Sequence, residues 1–421
     1  LTSSIDFSKT SLEEGSKRFI RFSEDTKEDE VRSVAEQMPC YLTYTTEKTK
    51  EIVLANLNKS SMYSGVVKGV GPRYCPSFED KIVRFSDKER HQLFLEPLDA
   101  TNELTYVQGF STSMPYDVQE EMVHSVIGLE NCEIVKYAYA IEYDAIDPLQ
   151  VKASLEMKDI DGLFIGGQIL GTSGYEEAAG LGMMAGINAL RKLNNKEPLV
   201  LKRDEAYIGV MIDDLVTKGT NEPYRLLTSR AEYRLLMRHD NAENRLIKYG
   251  HENGLISEER YQRYLSKQDQ MSSLVTYLKN SKVDYSTGIG EYLNSLGFKE
   301  DDTKSFNAYE LVKRPGVECS EVLKFLGNDS YDDEIVFNTQ IEIRYQGYIQ
   351  KARKEADKML KMDGMKLPQD IDYSKVDNLR LEARQKLNQV KPFTLGQASR
   401  ISGINPADLN VLAVYIKEHK I

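Results

Sequence analysis

The sequence predicts an incomplete α/β portion, a β-rich region before it and a helical C-terminal half after it. Apolar and polar residues alternate in short runs over residues 1–150, and residues 151–204 contain one strand–turn–helix pattern. From about residue 205, apolar positions recur at helical spacing, and we divide this half into 205–343 and 344–421. A length of 421 residues suits two to four such domains.

The first region is predicted to be mainly β. Alternating runs at Ile82–Phe85, His91–Leu95 and Glu103–Val107 are separated by turn residues, which is typical of strands. Two helices are also predicted here, one over Asp117–Val126 and one near Thr46–Asn56.

A glycine-rich turn marks the α/β portion. The short apolar run Gly162–Ile165 predicts a buried strand, and a helix is predicted over Tyr175–Leu193. Between them, Gly166, Gly167 and Gly171 leave bare backbone that a ligand can approach, and the N-terminus of the helix offers unpaired N–H groups. A purely structural turn between strand and helix is the alternative interpretation.

No complete dinucleotide-binding fingerprint is present in the sequence. Gly180–Ala185 fits the loose G-x-G-x-x-A pattern, but it lies inside the predicted helix and not directly after a strand. We therefore reject it as a phosphate-binding turn.

The helical half is predicted from four segments with 3.6-residue periodicity: Ser229–Leu236, Ser257–Lys279, Gln346–Met362 and Ala407–Glu418. Before the last of these, a short helix is predicted to end near Gly403, with Asn405 capping the next helix and Pro406 in its first position. The pair resembles a helix–turn–helix, although most such pairs are plain helical hairpins.

Charge is distributed unevenly along the chain. The net charge is −11, yet residues 344–421 contain 15 basic and 9 acidic side chains, a net +6. A basic C-terminal region is compatible with phosphate binding, and a solvated helical surface is the alternative. No apolar stretch approaches the roughly 18 residues of a membrane span, and no signal peptide is visible. The first residue is Leu1 and not Met, which is expected of a fragment, and processing of a longer chain is the alternative.

Four cysteines are spread through the chain without a C-x-x-C pair, so we expect no zinc site and a reducing, cytoplasmic environment. Cys75 is predicted to lie in a polar loop, with the cationic Arg73 and Lys81 close in sequence, and such cations favour the thiolate. A lone cysteine is more often an inert buried residue.

Three arginines are predicted to form a cationic stripe. Arg230, Arg234 and Arg238 are spaced i, i+4, i+8, which places them on one face if the segment is helical. Such a stripe suits RNA phosphates. Pairing of these arginines with Glu232 and Asp240 is the alternative.

Six long segments, in this order, closely resemble the glucose-inhibited division protein A family, the large flavin-binding subunit of the bacterial tRNA uridine 5-carboxymethylaminomethyl modification system. The segments are GVGPRYCPSFEDK at 69–81, HQLFLEP at 91–97, AIEYDAIDP at 140–148, GGQILGTSGYEEAAGLGMMAGINA at 166–189, TNEPYRLLTSRAEYRLLMRHDNAENRL at 220–246 and GQASRISGINPADLNVL at 396–412.

The resemblance implies an enzyme that uses FAD, NADH and methylene-tetrahydrofolate to add an aminomethyl or carboxymethylaminomethyl group to C5 of the wobble uridine of tRNA. It also implies a homodimer that assembles with a tRNA-modifying GTPase, and a β-rich insertion in the flavin-binding portion. The family's N-terminal FAD fingerprint would precede this chain. A non-catalytic RNA- or partner-binding fragment is therefore the alternative function.

The family's functional residues map onto this sequence position by position. Gln168, with Gly166, Gly167 and Gly171, matches the FAD contact, and Cys75 matches a reactive thiol that either attacks uridine C6 or handles a flavin adduct. The segment that matches the nicotinamide site consists of Gly71, Pro72, Arg73, Tyr74, Cys75, Pro76, Ser77, Phe78, Glu79, Asp80, Lys81, Ile82, Val83, Arg84 and Phe85. The residues expected to contact tRNA are Arg225, Arg230, Arg234, Arg238 and Arg400.

Overall fold

The computed structural model describes residues 1–15, 23, 25–33, 36–66, 77–299, 305–368 and 370–418. The chain divides into two compact units. The first contains Leu1–Ala145 with Asn221–Arg225, and the second contains Ile146–Thr220 with Leu226–Ile421. Within the described ranges, no helix is both long and apolar enough to cross a bilayer.

A four-stranded antiparallel sheet forms the centre of the first unit. Its strands are adjacent in chain order: β1 (Ser11–Glu13), β2 (Cys40–Tyr44), β3 (Gln92–Pro97) and β4 (Thr105–Gln108). The predicted strands near 91–95 and 103–107 are confirmed as β3 and β4. Alternate residues of β3 point into the core, as the period of a strand requires.

Among the described residues of this unit, three α-helices cover the core: α1 (Glu47–Ala55), α2 (Phe78–Arg84) and α3 (Tyr116–His124). The predictions of α1 and α3 are confirmed. The residues that pack together include Val53 of α1, Phe78 and Ile82 of α2, Leu93 and Leu95 of β3, and Val118 and Met122 of α3.

The predicted strand Ile82–Phe85 is wrong, because these residues end helix α2 and follow it. The Ser77 side chain caps this helix by accepting a hydrogen bond from the Asp80 N–H. Phe78 and Ile82, four residues apart, are both buried on one face. The alternation seen in the sequence is therefore part of a helical pattern in which Phe85 stays half exposed.

In the second unit, the predicted helix over 175–193 is confirmed as α4 (Tyr175–Leu193), and α5 (Tyr207–Lys218) packs against it. The predicted strand Gly162–Ile165 is wrong, since Phe164 makes only an isolated bridge with Glu156. Gly162 has a φ of 78°, and the Glu156 carboxylate accepts its N–H at 2.8 Å. A turn closed by the Glu156 side chain thus takes the place of the predicted β-strand.

The helical C-terminal half is confirmed. Its first part contains α6 (Ala242–Glu252), α7 (Glu258–Asn280), α8 (Ile289–Ser295), α9 (Ala308–Val312), α10 (Cys319–Phe325) and the long α11 (Asp333–Asp363). A short antiparallel pair, β5 (Lys282–Asp284) and β6 (Ser305–Asn307), lies among them. Leu278, Leu293, Val312, Val322 and Ile343 belong to one core.

The last helices are α12 (Leu381–Val390), α13 (Leu395–Arg400) and α14 (Pro406–Glu418), packed around a fully buried Tyr373. The predicted Asn405 cap is confirmed, because its side chain accepts a hydrogen bond from the Asp408 N–H at 3.0 Å. Asp408 reciprocates by accepting from the Asn405 N–H at 3.0 Å. This reciprocal pair fixes the turn between α13 and α14.

Candidate active site and nucleic-acid-binding segments

The turn before α4 contains glycines in conformations that other residues rarely adopt. Gly167 has φ 86° and ψ −158°, and a Cβ added there would enter open space. Gly171 has φ 83° in the left-handed region, and its Cβ would lie 2.9 Å from the Thr220 side chain. The backbone at Gly167 therefore presents a bare surface that a planar ligand can approach.

A contact between two glycines holds this turn against α4. A Cβ on Gly166 would lie 2.9 Å from the Cα of Gly182, so the two backbones pack directly on each other. On another side of α4, a Cβ on Gly180 would meet Ile208 at 3.3 Å. The small residues of α4 thus serve close helix packing, which explains the G-x-G-x-x-A pattern without a phosphate.

Gln168 begins a single 3-10 turn, Gln168–Leu170, and is half-buried. Leu170 at the end of this turn is buried and anchors it. In the first turn of α4, the buried Glu177 carboxylate accepts the Leu226 N–H at 2.9 Å. The structure thus brings Gly166, Gly167, Gln168 and Gly171 into one turn, as the sequence predicted.

The predicted nicotinamide segment is described only in part. Cys75 and the rest of Gly71–Pro76 lie outside the described residues, so the reactive-thiol prediction stays a prediction. In the described part, the Lys81 ammonium donates to the Gly109 carbonyl at 2.8 Å. The Arg84 guanidinium lies 3.6 Å from the Asp80 carboxylate.

Sequence reasoning missed the structural role of Glu79. Its carboxylate is fully buried and accepts hydrogen bonds from Ser60 Oγ at 3.0 Å, Thr112 Oγ1 at 2.7 Å, and the Ser113 N–H and Oγ at 3.0 and 2.7 Å. These bonds join α2 to two loops. An acidic residue next to a buried phenylalanine was the available signal, because a carboxylate enters a core only with partners.

The predicted arginine stripe is wrong as a helix face. The segment forms one 3-10 turn, Thr228–Arg230, followed by further turns. Leu227 and Ala231 have extended backbone conformations, so the helical spacing of the arginines does not align them. Arg238 instead pairs with Asp240 at 3.0 Å, as the alternative interpretation held, and with Glu342 at 2.6 Å.

Arg203 accounts for the irregular backbone of this segment, and the sequence analysis missed it. Its guanidinium is 7% exposed and donates hydrogen bonds to the Arg230 carbonyl at 3.2 Å and the Glu232 carboxylate at 2.7 Å. It also reaches Asp213 at 3.1 Å and Asp214 at 2.8 Å. The signal was the pair of adjacent aspartates in the apolar helix α5, which predicts a buried cation nearby.

Burial and ion pairing oppose each other in this Arg203 cluster, which we define as Arg203, Asp213, Asp214 and Glu232. Burial lowers the pKa of the Arg203 guanidinium, but Glu232 and the two aspartates outweigh burial and raise it above its ordinary value. Burial likewise raises the pKa of the Asp214 carboxyl, while Arg203 and Lys218 bring it below its ordinary value. Arg203 and Asp214 are therefore both charged at neutral pH.

The predicted RNA contact Arg400 belongs to the same region of the fold. Its side chain is 9% exposed, with Nε 2.6 Å from an Asp213 oxygen and Nη1 3.0 Å from Asp363. Burial raises the pKa of the Asp363 carboxyl, and Arg400 partly offsets this effect. Together with Arg203, these residues line a cavity of about 340 Å³. Arg400 thus joins α13 to α5 and to the end of α11.

The remaining predicted RNA contacts differ in exposure. Arg225 and Arg230 are half-buried, and Arg230 Nη1 lies 4.0 Å from Asp214. Arg234 is exposed, and within the described ranges no ion pair to its side chain is found.

Comparison with known proteins gives three family matches. The family model for glucose inhibited division protein A matches residues 1–197. The MnmG/GidA C-terminal helical domain matches 258–353, and the MnmG/GidA C-terminal helical bundle matches 355–421. The chain belongs to the MnmG/GidA family.

Similar relatives within this family include two named tRNA uridine 5-carboxymethylaminomethyl modification enzyme MnmG. The Listeria innocua serovar 6a protein is 51% identical over 421 residues, which are 100% of this chain and 66% of that protein. The Streptococcus mutans serotype c protein is 50% identical over 98% of this chain and 66% of its own length. The chain spans about two-thirds of the length of these MnmG relatives.

A solved structure supports the same family at the level of fold. Aquifex aeolicus GidA, in its form II crystal, superposes with a TM-score of 0.85 and 43% sequence identity, covering 99% of this chain and 65% of that one. The fold described here is therefore that of a large part of GidA.

Proposed function

We propose that this chain forms part of a tRNA-modifying enzyme that adds a carboxymethylaminomethyl or aminomethyl group to C5 of the wobble uridine. The observation that carries the proposal is 51% identity along all 421 residues to proteins named for this modification. The cofactors of the proposed reaction are FAD, NADH and methylene-tetrahydrofolate, and the proposed partner is a tRNA-modifying GTPase.

The glycine turn before α4 fits a flavin. The absent Cβ of Gly167 leaves room for a ring or ribose against the backbone, and the buried Leu170 ends the 3-10 turn that follows it. We propose that Gln168, Gly166, Gly167 and Gly171 contact FAD. When bound, FAD supplies an acceptor for the hydride of NADH.

For the remaining steps, we propose that Cys75 supplies the thiolate and that Gly71–Phe85 forms the nicotinamide site. Thiolate addition at uridine C6 makes C5 nucleophilic, and elimination of the same thiolate after substitution restores the ring. Handling of a flavin adduct is the alternative role of Cys75. For either role, Cys75→Ser in the full-length protein should abolish modified uridine in tRNA, measured by mass spectrometry of nucleosides.

Flavin binding can be tested with a pair of matched variants. Gly167→Ala and Gly219→Ala introduce similar strain, since Gly219 has φ 66° and ψ −169°. The Cβ at 219 meets Leu149 at 3.4 Å, whereas the Cβ at 167 enters open space. We expect Gly167→Ala to weaken FAD binding, titrated by flavin fluorescence, about tenfold more than Gly219→Ala does, because only the first Cβ would enter the surface offered to the ligand.

The same FAD titration distinguishes a flavin-dependent enzyme from the alternative function, a non-catalytic RNA- or partner-binding fragment. If the unaltered chain binds no FAD but does bind tRNA, it acts as a non-catalytic RNA-binding part, and the proposal for this chain is wrong. Equal FAD affinities of the two glycine variants would remove Gly167 from the flavin site.

We propose that residues 344–421, with their net charge of +6, include the docking surface for the GTPase partner. Val414 of α14 is 52% exposed and offers an apolar contact there. Val414→Glu should abolish co-elution with the GTPase on a sizing column, while Val83→Glu, at a 41% exposed position in the first unit, should not. Unchanged co-elution of the Val414 variant would place docking elsewhere.

A further inference from the structure

Helix α11 carries a row of exposed tyrosines and lysines on its C-terminal half. Tyr348 is 68% exposed and Tyr345 is 44% exposed. Lys351, Lys354 and Lys358 follow, all exposed. We call these five residues the Tyr–Lys row. Their spacing of three, three, three and four residues places each side chain next to the following one on the helix surface.

The row is long and faces away from the protein interior. Its ends, Tyr345 and Lys358, are separated by about 20 Å of helix, at roughly 1.5 Å of rise per residue. The buried residues of α11, including Ile335, Ile343 and Ala356, pack inward instead. The Tyr–Lys row is therefore a continuous surface feature of this helix.

The cations of α11 divide into two kinds. Arg344 donates to the Val317 carbonyl and pairs with Glu318 at 3.3 Å, and Arg353 pairs with Asp204 at 3.1 Å. The three lysines of the row differ, since in the described part of the chain no ion pair to any of them is found. The arginines of α11 thus fix the helix in the fold, while the lysines remain available for an external anion.

The composition of the row favours RNA over a protein partner. Protein interfaces are enriched in tyrosine but depleted in lysine, so three lysines beside the rings do not suit a protein contact. Unpaired RNA presents flat bases, which stack on aromatic rings, and phosphates, which attract lysines. Both parts of the Tyr–Lys row find their chemical complement in a single-stranded segment.

We propose that the Tyr–Lys row of α11 is a platform for an unpaired RNA segment, with bases stacked on Tyr345 and Tyr348 and phosphates held by Lys351, Lys354 and Lys358. The inference rests on the proposed function in tRNA modification. It adds a surface that the arginine prediction did not include, and it commits to a loop and not to a base-paired stem.

The absence of tryptophan from the sequence makes a direct test possible. Tyr348→Trp keeps an aromatic ring at the row and introduces the only tryptophan of the chain, whose indole can be excited selectively over the tyrosines. Tyr106→Trp is the matched control, since Tyr106 is 49% exposed on strand β4 of the other unit. We expect an unmodified tRNA and a short oligouridine to quench the indole of the Tyr348→Trp variant, and a blunt RNA duplex to leave it unchanged. The control should not respond to the oligouridine.

Two further variants measure the contributions of rings and charges. Tyr348→Ala should weaken oligouridine binding about tenfold, because one base loses its stacking surface. Changing Lys351, Lys354 and Lys358 together to Gln should reduce the slope of log affinity against log salt by about 2, which corresponds to three single-strand phosphate contacts. The control with equal charge loss changes the exposed Lys48, Lys196 and Lys282 to Gln and should keep the slope.

The outcomes distinguish failure of the row from failure of the proposed function. If the unaltered chain binds tRNA but the row variants match their controls, the Tyr–Lys row is not the platform. If the unaltered chain binds no tRNA, the proposed function fails and the row fails with it. Fluorescence of the Tyr348→Trp variant that changes with protein concentration, without RNA, would show that a second copy covers this face and would overturn the proposal.

Discussion

The cations near α5 and the cations of the Tyr–Lys row carry the same charge in opposite surroundings. The side chains of Arg203 and Arg400 are more than nine-tenths buried, and each touches at least two carboxylates. Lys351, Lys354 and Lys358 are exposed. The comparison shows that basic residues can bind an external anion only where they are not already paired with carboxylates of the same chain.

The largest loss of stability is expected when one of the buried arginines is removed. Arg203→Ala leaves Asp213 and Asp214 without their shared partner, and we expect a loss of about 3–5 kcal/mol in the free energy of unfolding. Urea unfolding followed by circular dichroism measures it. Arg263→Ala removes an arginine that is 61% exposed, with Glu259 at 3.6 Å, and should cost under about 0.5 kcal/mol. Equal losses in the two variants would contradict the distinction.

The contact between α13 and α5 can be measured as a coupling. A double-mutant cycle with Arg400→Gln and Asp213→Asn should give an interaction free energy of about 2 kcal/mol, because the two charged groups lie 2.6 Å apart and both side chains are mostly buried. Independent sites give stability losses that add within about 0.5 kcal/mol. If the losses of the two single variants add in this way, Arg400 does not pair with Asp213 and is again a candidate RNA contact.

Glu156 is a mostly buried acidic residue whose charge is paired within the chain, because its carboxylate accepts hydrogen bonds from two lysines. Hydrogen bonds from Lys192, the Gly162 N–H and Lys152 lower its pKa to about 2. The folded pKa lies below the ordinary value of 4.5, so this stabilisation is present above about pH 4.5 and is lost as pH falls toward 2. Glu156→Gln should cost about 1.5 kcal/mol at pH 7 and reduce the acid dependence of stability, measured by urea unfolding at several pH values.

The matched control for this change is Glu197→Gln, at an exposed carboxylate. The free energy of unfolding of the Glu197→Gln variant should depend on acid pH in the same way as that of the unaltered chain. A Glu156 variant that keeps the full acid dependence would show that other carboxylates produce it.

The smallest loss of stability is expected when an exposed arginine is removed. Arg234→Ala should change the free energy of unfolding by less than about 0.5 kcal/mol, because the side chain is exposed. Thermal denaturation measures the change. A loss of twice that size or more would mean that Arg234 is a structural residue like Arg238.

Long periodic segments were predictable from the sequence because helical spacing over many residues has no competing explanation. The helices α4, α7 and α14 were found with boundaries within about two residues. The Asn405 cap was found because Asn–Pro is a strong local signal for a helix start. The glycine turn was also found, since glycine at a strained turn has few alternatives.

Short segments failed where a side chain from elsewhere decides the backbone. Arg203 donates to the Arg230 carbonyl from 27 residues away, so local spacing in 229–236 could not reveal that these residues form turns and not a helix. Glu156 closes the turn at Gly162 in the same way. Four-residue runs such as 82–85 fit both a strand and a helix, and there the Ser77 cap decides.

The length of α11 has a consequence for how the family's C-terminal part can be cut and exchanged. Its 31 residues form one rod of about 46 Å, yet the two C-terminal family matches meet at residues 353 and 355, inside that rod. A chimera joined at this family boundary would splice two half-helices in the middle of the Tyr–Lys row. Recombination between relatives should therefore succeed at the loop after Asp363 and fail at 354, although alignment alone would favour the latter.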